Sequence, residues 1–213
     1  MQFSPVKTDY NRTLYCMEGT RKALLNRIIA WVTNDSGEDE GNTYWIHGLP
    51  GTGKTSLAHS ICEKLHDQQH LAGAFFCRRD DPNLSEPRNI LPTLIYKLSE
   101  IFPPFRRIVA EYLRNDPNLT PESMKGNILS EFIHGLPRQP DHALVFIIDA
   151  IDECGDNRSR QALLAVLKVL TDAAAHARWL KIIVTGRPEI VIQRFFDAPT
   201  RSSHVRQDPL EFL

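Results

Sequence analysis

Eight consecutive residues, Gly48-Leu49-Pro50-Gly51-Thr52-Gly53-Lys54-Thr55, combine glycines, a lysine and a hydroxyl at a spacing suited to gripping a polyphosphate. Glycines let a loop turn its backbone N–H groups inward with no Cβ in the way, forming a nest for phosphate oxygens. Lys54 is placed to reach the β- and γ-phosphates and Thr55 to ligate Mg²⁺, with Ser56 in the same first helical turn. Asp149, at the end of Leu144-Val145-Phe146-Ile147-Ile148, fits a carboxylate that holds Mg²⁺ through its water shell. Asp152 and Glu153 are the candidates to orient an attacking water, Glu153 being preferred on reach. Arg187 carries a guanidinium able to meet a γ-phosphate and report its presence.

Such groups act together only if the chain brings them to one edge. Thr43-Tyr44-Trp45-Ile46-His47 is β-branched and aromatic, which predicts a strand entering the glycine loop. Leu57, Ala58, Ile61, Cys62 and Leu65 recur at helical spacing just after it. Strand, loop and helix are the context that makes the pattern a P-loop, whose helix aims its free amides and positive end at the same anion. Further strands are predicted at 72–77, 142–149 and 180–185, with an edge strand near 204–206. A helix begins near Thr20, with Leu24, Ile28 and Trp31 on one stripe. Others run from about Arg88 until Pro103-Pro104 breaks the helix, then over 105–113, 122–136, 163–170 and, after Glu189, through Phe196. Residues 34–42 and 152–157 read as polar loops.

Strands apolar throughout, alternating with helices, predict an α/β fold with a central parallel sheet covered on both faces. Ligands of such sheets sit at the carboxyl ends of the strands, so Mg²⁺ is expected to be clamped from the end of the strand neighbouring the loop-bearing one. The division predicted is an irregular lead-in over residues 1–18 and a nucleotide-binding domain over 19–213.

Composition bounds the function classes. The 213 residues suffice for a full core, and 42% hydrophobic with 24% charged residues is ordinary for a soluble globular chain. A net charge of −1 makes no electrostatic case for nucleic acid or an anionic membrane. Cys16, Cys62, Cys77 and Cys154 show no CxxC spacing, which favours reduced thiols over a zinc site and, with no signal-peptide core, a cytoplasmic chain.

The P-loop, the run Asp149-Ala150-Ile151-Asp152-Glu153 and Thr185-Gly186-Arg187-Pro188-Glu189 together resemble the NACHT nucleoside-triphosphatase domain, one of the signal-transducing ATPases with numerous domains, and specifically its fungal, NOD-like type. The resemblance implies a P-loop NTPase of the additional-strand class, binding ATP/ADP (or GTP/GDP) with Mg²⁺. It implies a switch: a diphosphate-bound resting state, triphosphate-driven self-association and reset by hydrolysis. Gly19, Thr20 and Arg21 are similar to the segment that lines the base pocket in that family, which makes them candidate base or phosphate contacts. Effector and repeat-sensor domains are expected elsewhere in a parent protein. The helical and winged-helix domains that follow in relatives do not fit before Leu213.

One departure matters. The position after Asp149, where many additional-strand ATPases place a glutamate base, holds Ala150. Slow hydrolysis, relying on Glu153 or Asp152, is therefore weighed against a nucleotide-gated scaffold with negligible catalysis. A kinase lacks support without an arginine-rich lid, and no Asn-Lys-x-Asp stretch marks a guanine reader, so ATP is preferred with GTP open.

Overall fold

The computed structural model describes residues 21–33, 41–115, 128–156, 158–202 and 204–211. Five strands form one sheet: β1 (Thr43–His47), β2 (Leu71–Phe76), β3 (Leu144–Asp149), β4 (Leu180–Gly186) and β5 (Val205–Pro209). Their order is β2-β3-β4-β1-β5, and every pairing is parallel. A parallel neighbour needs a crossover, and the crossovers lay helices over both faces.

The side-chain alternation of the strands divides the core in two. Tyr44, Ile46, Val145, Ile147 and Ile183 face α1 (Lys22–Thr33) and α2 (Lys54–Asp67), packing with Ile28, Leu57 and Ile61. Trp45, Phe146, Ile148, Ile182 and Val184 face the other way. They pack with α3 (Ile90–Ile101), α4 (Pro103–Asn115), α5 (Ile128–His134), α6 (Arg160–His176) and α7 (Ile190–Phe196). Trp45 stacks on Phe196 of α7 with ring centroids 4.7 Å apart, so the loop-bearing strand is clamped from behind.

Several expectations change in detail. β4 lies between β1 and β3, so Asp149 stands on the strand once removed from the loop-bearing strand, not on its neighbour. The reason is burial: β4 is buried along its whole length, and only a central place covers Ile182, Ile183 and Val184 on both faces. β5 takes the exposed edge, where Arg206, Gln207, Asp208 and a final proline suit a strand wet on one side. Pro103 both ends α3 and opens α4, as a residue with no N–H to satisfy can at a first helical position. Asp152 and Glu153, expected to open a polar loop, lie with Ile151 in a 3₁₀ turn, and Asp152 is buried. A short helix, α8 (Pro199–Ser202), was not anticipated. The lead-in, most of the 34–42 loop and residues 122–127 of the 122–136 helix lie outside the described residues.

Candidate functional site

The P-loop leaves the carboxyl end of β1 and turns into α2. Gly51 and Gly53 sit at φ +77° and +83°, a backbone region that any Cβ would penalise, so the loop can curl only with glycine there. Gly53 provides no side-chain cap for α2, and the first turn of the helix holds no acid. The leading amides and the positive end of the helix therefore face the loop without an internal anion.

Lys54, almost buried, folds back over the loop. Its ammonium donates to the carbonyls of Gly48 and Leu49, both at 2.8 Å, and to the Thr52 hydroxyl at 3.3 Å. Burial pushes its pKa below the ordinary lysine value; Asp152 and Asp149 oppose that shift and Arg187 adds to it.

Asp149 is 1% exposed at the end of β3. Burial pushes its carboxyl upward, while hydrogen bonds donated by the Thr185 and Thr55 hydroxyls pull it back toward the charged form. A hydroxyl beside a carboxylate is an all-oxygen donor pair, the chemistry Mg²⁺ takes when phosphates and water complete its shell. Thr55 and Asp149 thus fit the metal expected from the sequence. Among the described residues no group of three or more His, Cys, Asp or Glu side chains could hold a metal unaided.

Thr185 belongs to the Thr185–Glu189 motif but lies outside the site residues expected from the sequence. Its hydroxyl donates to Asp149 and accepts the Ala150 N–H at 3.1 Å, fixing the turn after β3 from the neighbouring strand. Ala150 itself is left-handed, at φ +54°. The signal for Thr185 was its place at the end of a buried strand, but without strand order its partner was unknowable.

Asp152 and Arg187 form one unit. The Arg187 backbone N–H donates to Asp152 Oδ1 at 2.9 Å, and its Nε lies 3.0 Å from Oδ2. The Asp152 side chain is 4% exposed and that of Arg187 43%, so a buried carboxylate steers a half-exposed guanidinium. Arg160, opening α6, adds a second tie: its Nη2 lies 2.9 Å from Glu189, just past Arg187. Glu153 points elsewhere, its Oε2 accepting the Arg79 N–H at 3.4 Å beyond the end of β2. Arg21 donates to the carbonyls of Thr52 (3.1 Å) and Glu211, while Gly19 and Thr20 lie outside the described residues. Cys62, Cys77 and Cys154 are buried thiols, and no described helix is long and apolar enough to cross a membrane.

Comparison with known proteins agrees with this fold. A family profile described as "Nephrocystin 3, N-terminal", a NACHT-like region, matches residues 19–187. The chain belongs to the nephrocystin 3 N-terminal family. The match begins at Gly19 and ends at Arg187, the outermost of the candidate residues. No curated protein matches the chain. Among solved structures, the Walker-type ATPase of Pyrococcus abyssi is similar over 99% of this chain and 57% of its own, at 15% identity and a TM-score of 0.50. A chain in the structure of Drosophila ORC bound to poly(dA/dT) DNA and Cdc6 is similar over 90% of this chain and 28% of its own, at 11% identity and a TM-score of 0.51. The chain thus spans little more than half of one neighbour and under a third of the other. What it shares with them is the fold, that of an α/β P-loop NTPase domain; in this chain β4 lies between the P-loop strand and the Asp149 strand.

Proposed function

We propose that this domain binds a nucleoside triphosphate, ATP in preference to GTP, and hydrolyses it slowly as the Mg²⁺-dependent switch of a NOD-like signalling protein. The observation that carries the reading is the convergence of Lys54, Thr55, Asp149 and the Asp152–Arg187 pair at the carboxyl ends of β1, β3 and β4. The uncapped start of α2 and the loop amides of residues 48–55 receive the phosphates. Lys54 exchanges its loop carbonyls for β- and γ-phosphate oxygens. Mg²⁺ held by Thr55 and Asp149 would neutralise charge on those oxygens. Arg187 reaches the γ-phosphate from its Asp152 anchor and so reports whether that phosphate is present. Both Asp152 oxygens serve Arg187, so Glu153 is the acid left to orient water, and it does so by turning from the Arg79 N–H toward the phosphates when nucleotide binds. Leu49, Ile190 and Val191 expose apolar side chains on the loop and just past Arg187, which suits self-association on this side of the sheet in a longer parent protein.

The second reading is a nucleotide-gated scaffold without useful turnover. It is favoured by Ala150, which occupies the slot after Asp149 in a left-handed conformation and carries nothing to polarise water. Calorimetric titration with ATP and GTP, with and without Mg²⁺, tests binding. Lys54→Ala is expected to abolish it, and unchanged affinity rejects the site. Single-turnover measurement over hours then separates slow enzyme from scaffold, since only the first releases phosphate.

A further inference from the structure

Arg21 immediately precedes α1 in the chain, yet its guanidinium sits against the P-loop. The same nitrogen, Nη2, donates to the carbonyl of Thr52, 31 residues away, and to that of Glu211, 190 residues away. A second contact lies alongside. The Leu210 N–H donates to the His47 carbonyl at 2.6 Å, and a Cβ on Gly48 would overlap the Leu210 carbonyl oxygen. The chain leaving β5 therefore presses against the first glycine of the loop, and Arg21 ties it to the loop's other end. Edge strand and helix are locked as well, by Asp208, which accepts from Tyr44 and lies 3.0 Å from Arg27 of α1.

A planar trans peptide points its C=O and N–H to opposite sides. Holding the Thr52 carbonyl outward thus turns the Gly53 N–H away from Arg21. We propose that Arg21 is a positioning residue for the phosphate cradle: by gripping the Thr52 carbonyl it aims the Gly53 N–H at the polyphosphate, and through Glu211 it makes the segment after β5 respond to that ligand. This role presupposes the phosphate-binding reading of residues 48–55. It differs from a base or phosphate contact, because Nη2 donates to backbone carbonyls of the protein itself. A charge-assisted donor is well matched to the task, being stronger than a neutral one and able to serve two acceptors.

The probes are Mg²⁺ with inorganic tripolyphosphate, ATP and GTP, titrated calorimetrically into the wild-type chain and into Arg21→Gly and Arg21→Lys. Arg21 itself sits at φ +60°, so glycine removes the guanidinium while relieving the backbone, and the fold is retained. Arg21→Gly is expected to weaken all three ligands by one common factor, about tenfold or more. Arg21→Lys should recover part of the loss, since an ammonium can still reach one carbonyl. In wild type, tripolyphosphate should slow hydrogen exchange across 205–211, and in Arg21→Gly it should not. A variant that binds tripolyphosphate as wild type does but loses ATP and GTP overturns the proposal in favour of a base contact. A variant that binds all three unchanged overturns it in favour of a merely structural tie. If wild type binds none of them, the phosphate-binding reading falls and this role with it, a result distinct from either failure of the variant alone.

Discussion

Replacing Asp152 by alanine removes the acceptor of two Arg187 donors, at 2.9 and 3.0 Å, from a position that is 4% exposed. Breaking a fully buried ion pair costs about 3–5 kcal/mol, and an exposed pair is worth about 0–1 kcal/mol. Arg187 is 43% exposed, so solvent screens one end of this pair and the expected loss falls between those limits, about 2 kcal/mol. For a chain of this length that lowers the unfolding midpoint by about 4–8 °C. Arg187→Ala should cost less, because the N–H of residue 187 still donates to Asp152 Oδ1 and only the guanidinium partner of Oδ2 is lost. The double variant should cost much less than the sum, because the second change removes a partner already alone. Urea unfolding at 25 °C of the four proteins gives the coupling, expected at about 1–2 kcal/mol. The same four proteins titrated with ATP and ADP should show the triphosphate preference reduced about tenfold in each single variant, with little further change in the double. A coupling under about 0.3 kcal/mol, or an Asp152→Ala protein that still prefers ATP as wild type does, would refute the idea that Asp152 aims Arg187.

Glu153→Gln should keep nucleotide affinity within about twofold and lose at least about a hundredfold in single-turnover rate, as removal of a water-orienting acid does. If Asp152→Asn is the dead variant and Glu153→Gln turns over normally, the assignment is reversed. Asp149→Asn should raise the ligand-free unfolding midpoint, because burial disfavours the charged carboxylate there, while Mg²⁺ ceases to strengthen nucleotide binding. A lower midpoint would mean that the bonds from Thr55 and Thr185 outweigh desolvation. His59 stacks on Phe76 with centroids 4.2 Å apart, and burial holds its pKa below the ordinary value. The unfolded chain therefore takes up the proton first as pH falls. This contribution to stability is complete above about pH 6.5 and is lost as pH drops through the folded value. Thermal melts between about pH 7 and pH 5 should accordingly slope less steeply in His59→Phe than in wild type.

Much of this protein was decided within short windows of chain. Gly51 and Gly53 at positive φ, Lys54 and Thr55 opening a helix, and apolar strands such as 144–148 are local facts, set by which backbone angles and faces those residues tolerate. The parallel sheet followed from them, since strands apolar on both sides need helices over both faces. Strand order did not follow. Placing β4 between β1 and β3 depends on which strand most needs cover on both faces, a competition among all five. The pairings that finish the site depend on that order: Thr185 on Asp149, 36 residues apart, Asp152 on Arg187, 35 apart, and Arg21 on Thr52 and Glu211. Residue types announce that a carboxylate or guanidinium is present. Only the folded chain, by choosing which strand ends stand side by side, decides which of them is spent holding another and which is left to meet a ligand.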